Sequence, residues 1–216
     1  AIWAGFSFCN GDIEFELFSV LKPYMLTAIN SEDGKNGGHA EIIAETVLSA
    51  WASQEKMTGK PWVTDEEMRL FLLNSGNDLR AHVLWEVNRL LAVDRGNWFP
   101  LTLKLLRDVW PRQISVMSES VSTRLFDLVL SEHTGFPELV AAVLPLLTPI
   151  GSENLALPIL DGAAGSSIRQ NPLEALSLLC AVLPDSVANW PYGIAEMLKF
   201  LGDAGESVRN DARFIE

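Results

Sequence analysis

The chain has 216 residues, 48% of them hydrophobic, which is enough to bury one substantial core or two smaller ones. Its 16 Lys and Arg residues against 28 Asp and Glu residues give a net charge of −12. Because nucleic-acid binding depends on cations that neutralise phosphates, this charge disfavours nucleic acid as a partner. It fits a basic partner, or an acidic surface that serves solubility alone.

A membrane span and a secretory signal are also disfavoured. The longest apolar stretch, residues 139–150, contains Pro145 and Pro149 and is far short of the ~20 residues that cross a bilayer. The N-terminus lacks a basic region and a cleavage site, so we expect a piece of a longer protein, or a chain that has lost its initiator Met. Cys9 and Cys180 show no metal-ligand spacing, which predicts reduced core thiols and a cytoplasmic location.

Residues 1–97 predict an irregular helical half. Apolar residues at intervals of three and four predict a helix over Asp12–Ile29, kinked or split at Pro23, and a second helix over His39–Gln54. The polar stretch at 30–38 between them is the strongest loop signal in the chain.

Two more helices are expected in this half. Thr64 and Glu67 have capping-box spacing, in which the hydroxyl accepts from the Glu67 amide and the carboxylate reaches back to the Thr64 amide. A helix should therefore begin there and end at the Asn-Ser-Gly-Asn turn of residues 74–77. Apolar residues at helical spacing from Leu79 to Leu91 predict the next helix.

A repeat begins near residue 98. Pro100, Pro137 and Pro172 each open a leucine-rich stretch, at steps of 37 and 35 residues. This period is typical of helix-turn-helix units stacked into an α-solenoid. We therefore predict an all-α fold, in which an irregular helical bundle runs continuously into a short HEAT-like or TPR-like solenoid over residues 98–216.

Each repeat should pair an apolar inner helix, opened by its proline, with a more amphipathic outer helix. The middle unit is the least regular, because a proline interrupts its outer helix and a glycine-rich passage follows, which we expect to be flexible. The inner helices are predicted at 101–109, 139–147 and 173–182, the outer helices at 120–131, 155–161 and 194–201, and the flexible passage at 161–167.

The polar clusters match no catalytic or metal motif. His39 with Glu41 gives the H-x-E half of a zinc-deaminase signature, but the P-C-x-x-C half is missing. The glycines at 34–38 fit neither a P-loop nor an EF-hand. His133 is expected at a helix C-terminus, where an imidazolium favours the helix dipole. We therefore predict no enzyme, no cofactor and no metal site in this segment.

Aromatic residues near the repeat prolines are the candidates for partner binding. The chain has seven tryptophans, and large aromatic side chains both anchor helix corners and dominate binding hot spots. The core role is favoured for most of them. The residues selected as possible partner contacts are Trp98, Phe99, Trp110 and Trp190.

The run from Trp98-Phe99-Pro100 through Leu106 to Gln113, with the later segments 136–140 and 143–145, resembles a helical region found in bacterial defence proteins. That region, of unknown function, lies C-terminal to Sir2-like domains in proteins that act against phage. The resemblance covers about the second half of this chain. It implies a sensor or scaffold portion whose NAD-consuming effector lies outside the chain, since no Sir2 cofactor glycines can be placed here.

The sequence thus predicts a non-catalytic protein-interaction or sensor module that uses its outer helices and Trp-Pro turns. The alternative is a structural or oligomerisation scaffold that packs against copies of itself. A third possibility, an enzyme of unrecognised type, would need a deep pocket lined by ionisable groups with perturbed pKa values.

Overall fold

In a computed structural model the protein is all-helical. The structure describes residues 20, 22–23, 38–53, 59, 61–158, 160 and 162–215, and no β-strand forms among them. The all-α class predicted from the sequence is therefore confirmed. The chain divides into two compact units, one up to Pro111 and one from Arg112 onward.

The helices of the first unit follow the predicted order. Of the predicted helix Asp12–Ile29 the structure describes Val20, Lys22 and Pro23, which are helical, while Cys9 and the predicted loop up to residue 37 lie outside the described residues. The remaining elements are α1 (Gly38–Ala52), α2 (Asp65–Asn74), α3 (Asn77–Val93) and α4 (Arg95–Lys104), which continues into a π-helical turn (Leu105–Val109).

Helix α2 begins with the predicted capping box. The Thr64 hydroxyl accepts from the Glu67 amide at 3.2 Å, and the Glu67 carboxylate accepts from the Thr64 amide at 2.8 Å. Lys22 adds an ion pair to Glu67 at 2.6 Å. Burial would raise the pKa of Glu67, but the hydrogen bonds from Lys22 and Thr64 outweigh it and hold that pKa below its usual value.

A second polar cluster ties α1, α2 and α4 together. The Trp51 indole donates to Asp65 at 2.9 Å, and Lys104 pairs with the same carboxylate at 2.7 Å. The Lys104 ammonium also lies 5.5 Å from the centroid of the Trp51 ring. Burial raises the pKa of Asp65, but the hydrogen bonds from Lys104 and Trp51 outweigh it and leave the pKa below its usual value.

The junction of α2 and α3 is closed by a buried arginine. Arg80 is 5% exposed, and its guanidinium donates to the Leu72 carbonyl at 2.7 Å, the Leu73 carbonyl at 3.1 Å and the Asn77 side chain at 2.6 Å. These carbonyls belong to the last turn of α2, whose acceptors have no partner within the helix. Burial lowers the pKa of Arg80, and no carboxylate of the described residues forms an ion pair with it.

Helix α4 starts earlier than predicted. Asp94 caps it by accepting from the Asn97 amide at 3.3 Å, so the helix begins at Arg95. Pro100 consequently lies inside the helix and not in its first turn, which corrects the expected start of the first repeat. The boundary proposed after residue 97 falls within this helix. At the far end the chain widens into the π turn, where the Trp110 amide donates to the Leu105 carbonyl at 2.6 Å.

Most predicted helices of the second unit are present. Pro137 and Pro172 occupy the first turns of their helices, as expected, and helices are present where they were predicted at 120–131 and 194–201. The elements are α5 (Glu119–Ser131), α6 (Phe136–Val143) with a 3₁₀ turn (Leu144–Leu146), α7 (Ala163–Gln170), α8 (Pro172–Val182), α9 (Ile194–Ala204), α10 (Glu206–Arg209) and α11 (Ala212–Ile215), with further 3₁₀ turns at Ile114–Val116 and Val187–Asn189.

The prediction of an outer helix at 155–161 is wrong. Residues 155–158 form a non-helical connection, and helix α7 occupies much of the passage that was expected to be flexible. The reason lies at Gly165, where a Cβ would stand 1.8 Å from the Leu160 carbonyl oxygen. The absence of a side chain lets the preceding segment pass directly against α7.

Hydrogen bonds hold the connection between α6 and α7. The Thr148 amide donates to Ser122 Oγ at 2.8 Å. The Gly151 amide and the Asn154 side-chain amide both donate to Glu119 Oε1 at 2.8 Å. The donors Asn154 and Gly151 stabilise the charged form and hold the pKa of Glu119 below its usual value. This irregular segment is thus fixed to the first turns of α5.

The surroundings of Cys180 and His133 differ from those predicted. Cys180 is exposed and free, which corrects the prediction of a core thiol. The buried positions of α8 include Leu176, Leu179 and Val182, and Cys180 lies between them on the outer side of the helix. His133 lies two residues beyond the end of α5, close to the predicted helix terminus, and its Nδ1 is 3.3 Å from Ser167 Oγ.

The C-terminal segment is fastened by an arginine. Arg213 donates to both oxygens of Asp211, at 2.9 and 2.8 Å, and to Ser177 Oγ on α8 at 2.8 Å. A Cβ at Gly202 would stand 3.0 Å from the Phe214 ring, so the glycine provides the slot in which this ring lies.

Removal of Arg213 should raise the pKa of Asp211. Hydrogen bonds from Arg213 lower it from 3.8 to about 2. The pKa of Asp211 is lower in the folded chain than in the unfolded chain. The pair of Asp211 and Arg213 therefore stabilises the folded state fully above pH 3.8, and this stabilisation is lost as the pH falls through about 2. In an NMR titration of the carboxyl carbon, Arg213→Ala should return the pKa towards 3.8, and Arg209→Ala should leave it low. An unchanged pKa in Arg213→Ala would contradict the assignment.

Candidate functional site

The loop that connects α8 to α9, residues 183–193, is hereafter the aromatic loop. Val187 is 67% exposed and Tyr192 is fully exposed, with Trp190 half-buried between them. The other strongly exposed large apolar side chains of the described residues, such as Ile114 and Val93, are isolated in sequence. Scattered exposed apolar residues need no explanation, but a group within one loop is typical of an interaction site.

The aromatic loop is held in one conformation by hydrogen bonds. The Trp190 indole donates to the Pro184 carbonyl at 2.8 Å, which joins the two ends of the loop. Between them the Asn189 amide donates to the Ser186 carbonyl at 2.9 Å, within the turn that contains Val187. A loop fixed in this way loses less conformational freedom when it binds a partner.

A tight turn projects Tyr192 into solvent. The Ile194 amide donates to the Pro191 carbonyl at 3.3 Å, which closes a four-residue turn. Gly193 has φ of 89° and ψ of −3°, the values of the third position of a type II turn, where a side chain is strained. Tyr192 therefore occupies the second position, and its ring lies outside the packed helices.

The other predicted contacts lie in the first unit. Trp98 and Phe99 are consecutive, half-buried residues of α4, and the Arg95 guanidinium lies 4.6 Å from the centroid of the Phe99 ring. Trp110 is 3% exposed, so it has the core role that the sequence favoured for most tryptophans. Its ring is not accessible to a partner in this conformation.

The sequence reasoning selected Trp190 but missed Val187 and Tyr192. A usable signal was present, because Tyr192 stands between Pro191 and Gly193 and both neighbours favour turns. The Trp-Pro pair was interpreted only as a helix corner, and the exposed tyrosine after it was not considered.

A second aromatic pair lies on α3 in the first unit. Trp85 is 45% exposed and stacks on His82, with ring centroids 5.4 Å apart and an angle of 28° between the planes. His82 Nε2 lies 3.3 Å from Glu45 Oε1, which links α3 to α1. These contacts give His82 a structural role.

The described residues place no three His, Cys, Asp or Glu side chains where they could hold a metal ion together. A void of about 10 Å³ inside the second unit is lined by apolar side chains, including Phe126, Phe136 and Met197. It has room for a molecule the size of water. Among the helices that the structure describes, none combines the length and apolar character that a bilayer span requires.

No family model and no solved structure matches the chain. It is 22% identical over 194 residues to the uncharacterized protein y4cA of Sinorhizobium fredii (strain NBRC 101917 / NGR234). The match covers 88% of this chain and 16% of that protein, so the chain spans about a sixth of the length of this relative.

Proposed function

We propose that the chain is a non-catalytic protein-interaction or sensor module that binds a protein partner through the aromatic loop. The observation that carries the proposal is the joint exposure of Val187 and Tyr192 on a loop fixed by the bond from Trp190 to Pro184. Covering apolar surface favours association, and a rigid loop reduces the entropic cost.

For the architecture we propose that the second unit is built from HEAT-like or TPR-like helix pairs. Two observations support this proposal. Pro137 and Pro172, 35 residues apart, open the apolar helices α6 and α8. Helix α8 also contacts α6, α7 and α9, as an inner helix of a stacked array does.

We also propose that the parent protein carries a Sir2-like NAD-consuming domain outside this segment, which the module regulates. The resemblance of residues 98–145 supports this, and so does the much greater length of the S. fredii relative. The complete reading frame tests it. A Sir2-like domain elsewhere in the frame would support the proposal, and a frame that encodes only this helical segment would contradict it.

The aromatic loop is tested by a double variant, Val187→Ser with Tyr192→Ser. Both side chains are exposed, so the variant should fold, while partner proteins cross-linked to the wild-type chain in a lysate of its own host should fall about tenfold. Quantitative mass spectrometry of the captured proteins gives the measurement. The matched control is Ile114→Ser, which removes an 87% exposed apolar side chain of the same unit outside the loop.

Equal capture by the wild type, the double variant and the control would contradict the proposal. Sedimentation at several concentrations tests the alternative of a self-associating scaffold. A dimer that the double variant abolishes would assign the aromatic loop to contacts between copies of the chain. A monomer at every concentration would exclude the scaffold.

A further inference from the structure

Helices α10 and α11 form a strap, residues 206–215, that lies over the pair α8 and α9. Each of the two strap helices has four residues, which is too short for a helix that is stable without packing. Val208 of α10 is fully buried, and α10 contacts both α8 and α9. The strap therefore depends for its conformation on the groove where α8 and α9 meet.

Three side chains fasten the strap in this groove. Val208 supplies a buried aliphatic contact, and the Phe214 ring lies in the slot left by Gly202 of α9. Arg213 donates to Ser177 Oγ of α8 at 2.8 Å. Within the described part of the chain this is the one hydrogen bond that joins the strap to other elements, because the bonds from Arg213 to Asp211 lie inside the strap.

The strap is joined to α9 at Gly205 without a helix cap. Gly205 has extended backbone geometry, and among the described residues its amide donates no hydrogen bond that would close α9. Rotation at this residue would lift the strap as one piece, since the bonds between Arg213 and Asp211 move with it. Opening would break one hydrogen bond and two apolar contacts, so it is a local event and not the unfolding of the unit.

We infer that the strap is an autoinhibitory occupant of a groove that accepts a helical segment of a partner protein. The closed strap shows the chemistry that this groove takes: an aliphatic side chain, a guanidinium that reaches Ser177, and an aromatic ring in the Gly202 slot. A partner segment with these three anchors at the same spacing replaces the strap by helix-in-groove binding. The groove contains no residue of the aromatic loop, so this surface is additional to the proposed function.

The first test is native-state hydrogen exchange of the full chain, followed by NMR. The amides of Asn210, Asp211 and Phe214 donate to carbonyls within the strap, so they report its opening. We expect the strap to open at least about 100-fold more often than α8, as a locally unfolding segment does. Equal opening of the strap and α8 would overturn the inference, because the strap would then leave the groove only when the whole unit unfolds.

The second test supplies the strap as a separate molecule. A fluorescein-labelled peptide with the sequence of residues 205–216 is titrated with the full chain and followed by fluorescence anisotropy. The wild type should bind it weakly, because the attached strap competes at a high effective concentration. Phe214→Ser loosens the attached strap and empties the slot, so this variant should bind the peptide at least about tenfold more tightly. The matched control is Ser207→Ala, an exposed strap residue, which should bind as weakly as the wild type.

The slot and the anchors are tested separately. Adding Gly202→Ala to Phe214→Ser fills the slot and should abolish the gain in affinity. A peptide that keeps only the valine, arginine and phenylalanine of the strap should bind Phe214→Ser within about threefold of the original peptide, since these side chains define the partner segment.

No gain in Phe214→Ser, or the same gain with Gly202→Ala present, would overturn the inference. Should circular dichroism show that Phe214→Ser unfolds, Arg213→Ala is titrated in its place, and binding equal to that of the wild type would overturn it as well. Sedimentation examines exchange of straps between copies. A wild-type dimer that Phe214→Ser abolishes would assign the groove to a second copy of the chain and contradict a partner segment.

Discussion

Gly165→Ala is expected to destabilise the second unit by about 3 kcal/mol or more. The new Cβ would stand 1.8 Å from the Leu160 carbonyl oxygen and 2.5 Å from its carbonyl carbon. These are backbone atoms, which cannot rotate away as the end of a side chain can. Either α7 or the segment before it must move, and Ser167 and Ile168, which are 3% and 2% exposed, must move with it.

Urea unfolding of chains labelled with 5-fluorotryptophan checks this expectation by fluorine NMR, because Trp190 is the single tryptophan after Pro111 and its resonance reports the second unit. The other tryptophans stay in place, and Trp190→Phe identifies the Trp190 resonance. The matched control is Gly205→Ala in the same unit, where the nearest atom to the new Cβ would be Ser207 Oγ at 3.5 Å, an ordinary van der Waals contact. The control should change the free energy of unfolding by less than about 1 kcal/mol. A midpoint for Gly165→Ala equal to that of the wild type would contradict the close approach.

Arg80→Ala should have a comparable effect on the first unit, about 3 kcal/mol. The substitution removes three hydrogen bonds from a charged donor and leaves the Leu72 and Leu73 carbonyls without that donor. A buried acceptor without a partner costs about 1–3 kcal/mol. Unfolding of the wild type and the variant in urea, followed by the tryptophans of this unit, measures the loss.

Two further variants separate the contribution of the Arg80 hydrogen bonds from those of its charge and its packing. Arg80→Met retains most of the aliphatic volume, so its loss reports the hydrogen bonds, and Arg80→Lys retains the charge without the planar fork. Both variants should have a free energy of unfolding well below that of the wild type. Arg69→Ala is the control, because this exposed arginine donates to the Asp108 carbonyl at 2.7 Å and should cost less than about 1 kcal/mol. Wild-type stability in Arg80→Met would show that packing alone joins α2 to α3.

Helix starts were predictable where the signal is local and has no competitor. The capping box of Thr64 and Glu67 needs only residues three positions apart. Pro172 opens its helix directly after Asn171, because the residues up to Gln170 already belong to α7. Pro100 carried the same signal, but Asp94 provides a cap six residues upstream. Two valid start signals competed, and the period of the prolines does not show which one the chain uses.

The features that sequence reasoning missed depend on local backbone conformation that the residue types alone do not fix. Glycines in 161–167 are as compatible with a flexible loop as with a close approach, and the position of the Leu160 carbonyl decides between them. In the aromatic loop Trp190 was predicted because tryptophan is a frequent hot spot. The exposure of Tyr192 follows from the left-handed conformation of Gly193, and the turn signal carried by Pro191 and Gly193 was not used because the Trp-Pro pair was interpreted only as a helix corner.

The π turn at Leu105–Val109 bears on how chains related to this one can differ in length. A π turn holds about one residue more than an α turn, whereas each residue of an α-helix turns the next residue by about 100° around the helix axis. Loss of one residue here converts the turn to ordinary α geometry and leaves Trp110 facing the core. The same loss within α3 would rotate Leu91 away from the core. Single-residue gaps between homologues are therefore expected at the π turn and not in the regular helix before it.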